Sequence, residues 1–409
     1  MEKVALIKAT SYEQNEVTTA IEKAVNLLGG IDKFVQKGQT VALKVNLLMK
    51  ATPEKCMTTH PAVVEAVAKL VLKAGGKPFI VDSAGGPFTE GYINSIYNAS
   101  GMTLASQNSG APLNQDYTYY EVENPNAKVG FKFPIVSAID KADVIFNLTK
   151  LKTHSFTGYT NAIKNMFGII PGLAKVEMHG KYRDLDAFID FLYDIWTYLN
   201  GKVKLNITDA IWGMEGFGPS NGTPKQMNAI LASENPLALD YIATQLMTLI
   251  PETTPIIRKG IEHGLLEQNP EIEVLGEDLT QMIVKDFKTC EPNNYKPYAN
   301  YVPQFLQGTV HRVMTKRPVI PKAKCKGCGK CHDHCPAKAI TMHPHKNKRF
   351  AKIDYNKCIR CYCCQELCPF GAVKIKSGII YKILHIKKNK NRTTNPHSHH
   401  NQGKSETPH

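Results

Sequence analysis

Cys325-Lys-Gly-Cys328-Gly-Lys-Cys331-His-Asp-His-Cys335-Pro336 and Cys358-Ile-Arg-Cys361-Tyr-Cys-Cys364-Gln-Glu-Leu-Cys368-Pro369 are two copies of one pattern, C-x-x-C-x-x-C-x-x-x-C-P. Four thiolates hold one 4Fe–4S cube. The tight spacing wraps three of them around a single cube, and the fourth, before the proline, reaches the neighbouring one. The spacing therefore predicts one ligand set of Cys325, Cys328, Cys331 and Cys368 and a second of Cys335, Cys358, Cys361 and Cys364. Cys363 is a spare inside the second run, because only Cys364 keeps both the x-x and the x-x-x-C-P spacings.

The offset between the runs, 358 − 325 = 33 residues, also carries Lys324 to Lys357, Pro336 to Pro369 and Ile340 to Val373. Zinc ribbons use two C-x-x-C pairs far apart rather than four cysteines packed into one run. Disulfide frameworks belong to small secreted chains. The duplicated run resembles that of bacterial two-cluster ferredoxins, which implies two 4Fe–4S clusters and one-electron transfer.

Upstream of the runs lies a body large enough for its own core in a chain of 409 residues. The spacing of segments predicts a body over residues 1–290, a Pro-, Asn- and Tyr-rich linker over 291–320, a two-cluster domain over 321–376 and a basic, His-rich tail over 377–409. In that tail Ser377–Asn391 reads as a helix packing on the body and the rest as disordered. Met1–Lys8 has no apolar stretch of signal length and no run is long enough to span a bilayer, so a cytoplasmic protein without a transmembrane segment is expected.

The net charge of +14 is concentrated. Residues 1–315 hold 29 Lys+Arg against 32 Asp+Glu, whereas residues 316–392 hold 20 against 3. Two oxidised cubes with their thiolates lower the total to about +10. Such a field favours an acidic redox partner or an anionic substrate. No nucleic-acid-binding motif is present, so nucleic acid is not an expected partner.

Along the body, strand-like and helix-like segments alternate. Val4–Lys8, Thr40–Leu48, Pro78–Val81, Val144–Leu148, Val203–Thr208 and Ile272–Leu275 read as strands. Glu16–Leu28, Pro61–Ala74, Thr160–Ile169 and Pro236–Leu249 read as helices, the second opening on a proline and the first two followed by paired glycines. This order predicts an α/β body with a largely parallel sheet, followed by a small C-terminal α+β two-cluster ferredoxin domain. Ligands of such sheets sit beyond the carboxyl ends of the strands. Neither G-x-G-x-x-G nor G-x-x-x-x-G-K-[ST] occurs, and the glycine-rich Gly213–Pro219 has the wrong spacing, although its amides could approach an anion.

Polar residues gather past the strand ends: Lys44 and Asn46, Thr59 and His60 near Cys56, Asp82 and Ser83, Lys150, Lys152 and His154, Lys164 and Asn165 within the following helix, then Asp209 and Glu215. Singly, each has a plain structural reading, Thr59 as a helix cap and the aspartates as turn caps. Together they suit a carboxylate or phosphate ligand, with Lys152, His154, Lys164, Asn165 and Glu215 as candidate catalytic groups and Lys44, Asn46, Asp82 and Asp209 as candidate binding groups.

Asn147–His154, Asn161–Gly168, Asp209–Pro219 and Ala232–Asp240 resemble the signature segments of the family called domain of unknown function 362, over roughly residues 35–280. Members often carry a C-terminal two-cluster ferredoxin unit, as here. Where such members usually have Asp before Pro236, this chain has Asn235. The family implies a fold and no settled activity. Three functions compete: a reductase fed by the clusters, an electron carrier or subunit of a larger redox complex, and a binding or maturation protein with structural or sensory clusters. A carrier has no need of so large a body with convergent lysines, which favours the reductase.

Overall fold

The apolar runs of the body become strands of one sheet. The computed structural model describes residues 1–199, 201–290, 292, 303, 316–345 and 348–376. Most of the expected linker, and the whole of the expected terminal helix and His-rich tail, lie outside the described residues. The body's strands are β1 (Glu2–Lys8), β2 (Thr40–Lys44), β3 (Lys77–Val81), β4 (Tyr119–Glu123), β5 (Lys132–Val136), β6 (Val144–His154), β7 (Gly158–Thr160), β8 (Val203–Glu215), β9 (Thr223–Ser233) and β10 (Ile272–Gly276). Eight of them form one sheet in the order β10-β1-β9-β8-β6-β2-β3, with β7 hairpinned onto β6. The pairs β1–β10, β2–β3, β2–β6 and β6–β8 are parallel, and β9 runs antiparallel to both β1 and β8. The body is thus α/β with a mixed, mostly parallel sheet.

Helices cover both faces, and strand side chains alternate between them. On β1, Val4 and Leu6 join the core under helices Leu185–Leu199 and Pro236–Leu246, while Ala5 and Ile7 join the core under Gln14–Leu27 and Pro61–Lys73. Burial on both faces explains the near-continuous apolar runs that mark these strands in the sequence.

Three segments differ from expectation, and each difference moves the site. First, β6 does not stop at Leu148. It continues through Thr149-Lys-Leu-Lys-Thr-His154, all buried, because β7 and β8 pair with its polar end. Lys150, Lys152 and His154 are therefore strand residues rather than loop residues. Second, β8 runs on to Glu215, and a return strand, β9, was hidden by its polar opening Thr223-Pro-Lys-Gln. Third, Thr160–Ile169 is not one helix. Thr160 ends β7, a single turn spans Ala162–Asn165, and a 3-10 turn spans Met166–Ile169. A buried network fixes that turn: Asp240 accepts from the Ala162 amide at 2.7 Å, and Asn147 Nδ2 donates to the Ala162 carbonyl at 3.0 Å.

In the C-terminal region the sequence repeat is also a backbone repeat. One-turn helices span Lys330–Asp333 and Cys363–Glu366, which are 33 residues apart. Left-handed residues recur at the same offset: Gly327 and Arg360, Gly329 and Tyr362, Lys338 and Gly371. Non-glycine residues rarely hold this conformation, so the loop path is imposed by its surroundings. Hairpin β12 (Ile340–His345) with β13 (Lys348–Ile353) lies beside the first run. Strand β11 (Arg317–Val319), assigned to the linker from sequence, pairs with β14 (Lys374–Lys376).

Candidate functional site

The cysteines sort by cavity rather than by run. Cys325, Cys328, Cys331 and Cys368 line one small cavity. Cys335, Cys358, Cys361 and Cys364 line another, with Cys363 also on its wall. Among the described residues no three His, Cys, Asp or Glu side chains close on a point as a single-ion site needs. The thiols ring a space instead, which suits a cube. Backbone amides four residues on donate to the crossing sulfurs, Ala339 to Cys335 Sγ at 3.2 Å and Ala372 to Cys368 Sγ at 3.3 Å. Such donors stabilise thiolate charge. The residues present fit two 4Fe–4S groups.

A larger cavity, about 100 Å³, lies where the body meets the second cysteine run. The end of β6 supplies Lys152 and His154. The loop after β3 supplies Asp82, Ser83, Gly85 and Gly86. The Ala162–Asn165 turn supplies Lys164 and Asn165, and the helix Ala174–Lys181 supplies Lys175 and His179. The fifth side is Cys363, Glu366 and Leu367. The regions are stitched together beside it, with Gln365 Nε2 donating to the Phe217 carbonyl at 2.9 Å and Asn221 Nδ2 donating to the Gln365 carbonyl at 2.8 Å.

Two buried lysines, Lys152 and Lys164, and the half-buried Lys175 give the cavity its character. Lys152 donates to Asn46 Oδ1 at 2.5 Å and the Met57 carbonyl at 2.7 Å. Burial, with Lys150 and Lys164 nearby, lowers it to about 7. Lys175 donates to Ser83 Oγ at 2.5 Å, and burial lowers it likewise to about 7. Lys164 lies over the rings of Phe167 and Phe188, 4.8 and 5.4 Å from their centroids, and burial lowers it too. None of the three makes an ion pair among the described residues.

The opposite wall is a histidine–carboxylate contact. His154 Nδ1 accepts from the Phe156 amide at 3.1 Å, so the ring, lowered by burial, is neutral with its proton on Nε2. That atom lies 3.1 Å from Glu366 Oε1, off the line of a good hydrogen bond, and Oε1 has no other partner among the described residues. Burial opposes ionisation of Glu366, but the imidazole beside it and Lys164 prevail and hold it charged. His179, stacked on Phe188 at 4.4 Å and lowered by burial to about 3, has a buried Nδ1 without a partner. Glu366 Oε1 and His179 Nδ1, buried and without a hydrogen-bond partner among the described residues, both belong to residues that line the cavity, which marks it as a candidate ligand site.

The structure brings Asn46, Asp82, Lys152, His154, Lys164 and Asn165 to this cavity. Lys44 stands behind it, fully buried and paired with Asp82 at 2.9 Å. Asp209 does not reach it. It pairs with Lys150 at 2.9 Å and accepts from Tyr12 Oη at 2.8 Å and the His60 amide at 2.9 Å, the ring of His60 stacking on Tyr12. Glu215 is also elsewhere, because the extension of β8 carries it to the Lys288 amide at 2.9 Å. Thr59 is not the helix cap. His60 caps Pro61–Lys73, and Thr59 Oγ1 donates to the Leu148 carbonyl at 2.8 Å. Gly213 is a strand residue, the amides of Gly216 and Gly218 already donate to the Lys288 carbonyl and to Thr153 Oγ1, and of this loop Pro219 reaches the cavity. Asn235 caps its helix as an aspartate would, accepting from Leu237 and Ala238. Sequence reading placed Ser83 past a strand end without assigning it to the site, and missed Lys175, His179, Cys363, Glu366 and Leu367 there. Only Ser83 stood next to a strand end, the signal that found the others.

Among the described residues no helix is long and apolar enough to cross a membrane. The family model for a domain of unknown function (DUF362) matches residues 41–245, and that for a 4Fe-4S dicluster domain matches residues 324–372. The chain is 32% identical over 314 residues to the thylakoid-associated protein sll1697 of Synechocystis sp., covering 75% of this chain and 92% of that one. It is 39% identical over 59 residues to pyruvate synthase subunit PorD of Methanocaldococcus jannaschii, 14% of this chain and 65% of that one. The lactate racemase apoprotein of Thermoanaerobacterium thermosaccharolyticum superposes with a TM-score of 0.34 at 13% identity, over 58% of this chain and 55% of that one. The chain carries an iron–sulfur electron-transfer domain, and it belongs to the family of the domain of unknown function 362.

Proposed function

We propose that the protein is an iron–sulfur reductase that delivers electrons to a small anionic substrate in the cavity between body and cysteine runs. In this reading Cys325, Cys328, Cys331 and Cys368 hold one 4Fe–4S cluster, and Cys335, Cys358, Cys361 and Cys364 hold the other. When bound, the two clusters supply one electron each. The observation that carries the reading is the shared wall: Cys363 lines both the lysine cavity and the second ring of thiols. A substrate there stands one residue from the cluster ligand Cys364.

Lys164, lying over the Phe167 and Phe188 rings, supplies a positive charge for a carboxylate or phosphate when it is protonated. Lys152 and Lys175, both near neutrality, each give one proton and regain it from solvent. Two electrons and two protons then convert an acceptor A to AH2. Neutral His154 and ionised Glu366 orient the reacting end. Electrons enter from an acidic donor protein drawn to the basic region around the runs. A reducing cytoplasm suits the thiols and cubes. A second reading, an electron-carrying subunit of a larger complex, draws on the likeness to the pyruvate synthase subunit.

The test is anaerobic. Protein reduced by dithionite and desalted is mixed with a panel of small carboxylates and phosphates while the visible absorbance of the clusters is followed. The reductase reading expects reoxidation by one class of acid, lost in Lys164→Met at unchanged iron and sulfide. Reoxidation by acceptor proteins alone would leave the carrier reading standing.

A further inference from the structure

The two rings of thiols differ in what surrounds them. The second is turned to the body: Cys363 on its wall also lines the lysine cavity, and Gln365 beside it is bonded to Phe217. The first is turned outward. Cys328 is the one exposed thiol of the eight, and the other seven are buried or half-buried. Lys326, Lys330 and Phe370 line the first ring with it, and the Phe370 ring is 53% exposed. Lys348 Nζ donates to the Cys325 carbonyl at 3.0 Å, and Lys322 lies over the Phe350 ring, 4.9 Å from its centroid. All four lysines are exposed. Charge follows the same division. Residues 321–353 hold 9 Lys+Arg against 1 Asp+Glu, Asp333, whereas residues 354–376 hold 4 against 2. The excess around the first ring outlasts the roughly −2 of an oxidised cube with its thiolates. A lone exposed phenylalanine means little. Here it stands beside an exposed cluster ligand with lysines around both, an apolar centre with a charged rim.

We propose that this face, centred on Cys328 and Phe370, is the electron entry port, a docking surface for a small electron-carrier protein whose own exposed redox group is rimmed by aspartates and glutamates. This rests on the reading in which the second cluster serves the cavity, and it adds the place and the partner at the other end of the relay. Electron tunnelling falls steeply with distance, so the thiolate with no protein over it is the shortest way in. In each encounter one electron leaves the reduced carrier for the first cluster and passes on to the second. The carrier is oxidised by one electron and the chain reduced by one, and no bond or proton moves. Such a carrier must leave after each electron, so a small contact steered by charge suits it better than a large apolar one. A lipid surface would meet the lysines but makes no use of an exposed cluster ligand at their centre.

The probe is flavodoxin hydroquinone, an acidic one-electron donor, mixed anaerobically with the oxidised, cluster-loaded full chain while the flavin semiquinone is followed. The second-order rate should fall as salt rises, and fall about tenfold at low salt in the double variant Lys326→Glu, Lys330→Glu at unchanged iron and sulfide. Lys204→Glu, on an exposed residue at the start of β8 and so at the opposite end of the sheet from the cavity, should leave the rate unchanged. Carbodiimide should join flavodoxin carboxylates to Lys326 or Lys330 of the wild type. No transfer, a rate indifferent to salt and to the double variant, or cross-links confined to lysines of the body would overturn the entry face. If the double variant fails to take up its clusters, the salt series and the cross-link map on the wild type decide. Binding of the wild type to phosphatidylglycerol vesicles, lost in a double variant whose flavodoxin rate is unchanged, would reassign the face to lipid and overturn the proposal too. No acid substrate is present in these measurements, so the reductase reading stands or falls separately, on the acid panel.

Discussion

Two groups of lysines gather at one end of the same sheet, all of them buried except the half-buried Lys175. Lys44 and Lys150 each meet a carboxylate at 2.9 Å, Asp82 and Asp209. Register makes these pairs: Lys150 and Asp209 are direct partners across β6 and β8, and Asp82 follows the partner of Lys44 on β3. Two residues further along β6, Lys152 faces Met214 on β8 and Thr160 on β7, and neither offers a charge. Lys152, Lys164 and Lys175 have hydrogen bonds or aromatic rings for company, but no ion pair among the described residues. A buried ammonium is costly to leave uncompensated. The first group is compensated by the fold itself. In the proposed reading the second is arranged for an anion that comes from outside.

The contrast between partnered and spare groups extends to the thiols, where the largest effect is expected. Cys364→Ser should cost one cluster, read as a fall of about half in iron and acid-labile sulfide. Cys363→Ser should leave both contents unchanged. A reversed result would shift the ligand register by one residue.

Within the lysines, breaking a fold-made pair should be severe. Asp209→Ala strands Lys150 in the interior and should cost about 3–5 kcal/mol in anaerobic urea unfolding. Lys164→Met removes a buried charge that makes no ion pair among the described residues, although Glu366 acts on it from a distance, so stability should change little, while anion affinity falls about ten- to a hundredfold. A large loss of stability in Lys164→Met, with anion binding intact, would place it in the structural group.

A smaller effect is expected with pH. Burial lowers Lys152 and Lys175 from 10.5 to about 7, so between these values the unfolded chain binds protons that the folded chain does not. Their contribution to stability therefore rises with pH across that window. Anion affinity, which needs the charged form, should fall across pH 7. Lys152→Met should flatten part of both trends. Stability and affinity moving in the same direction across the window would contradict the assignment.

The cysteine runs were legible because ligand spacing is local, and two small cavities gather the thiols in the groupings that the spacing proposes. The strand starts were legible because β1, β2 and β3 are apolar on both faces. The ends of β6 and β8 were not, since Thr149–His154 is polar and reads as a loop until its hydrogen-bonding neighbours are known. That misreading placed Glu215 in the site and left β9 unseen. Glu366 and Cys363 were out of reach for another reason. They sit in a cysteine run whose pattern already explained them, and nothing local ties them to His154, some two hundred residues earlier. Lys175 and His179 become visible only once their helix is known to lie over the cavity.

The central claim is that an anion held by Lys152, Lys164 and Lys175 sits beside the second cluster. Its most direct test is the paramagnetic broadening of the ¹³C-carboxylate signal of butyrate bound to the dithionite-reduced, cluster-loaded chain. Reduction should broaden that signal strongly in the wild-type complex, and Lys164→Met should abolish the effect. Butyrate that binds with a sharp, unperturbed carboxylate signal after reduction would contradict the account.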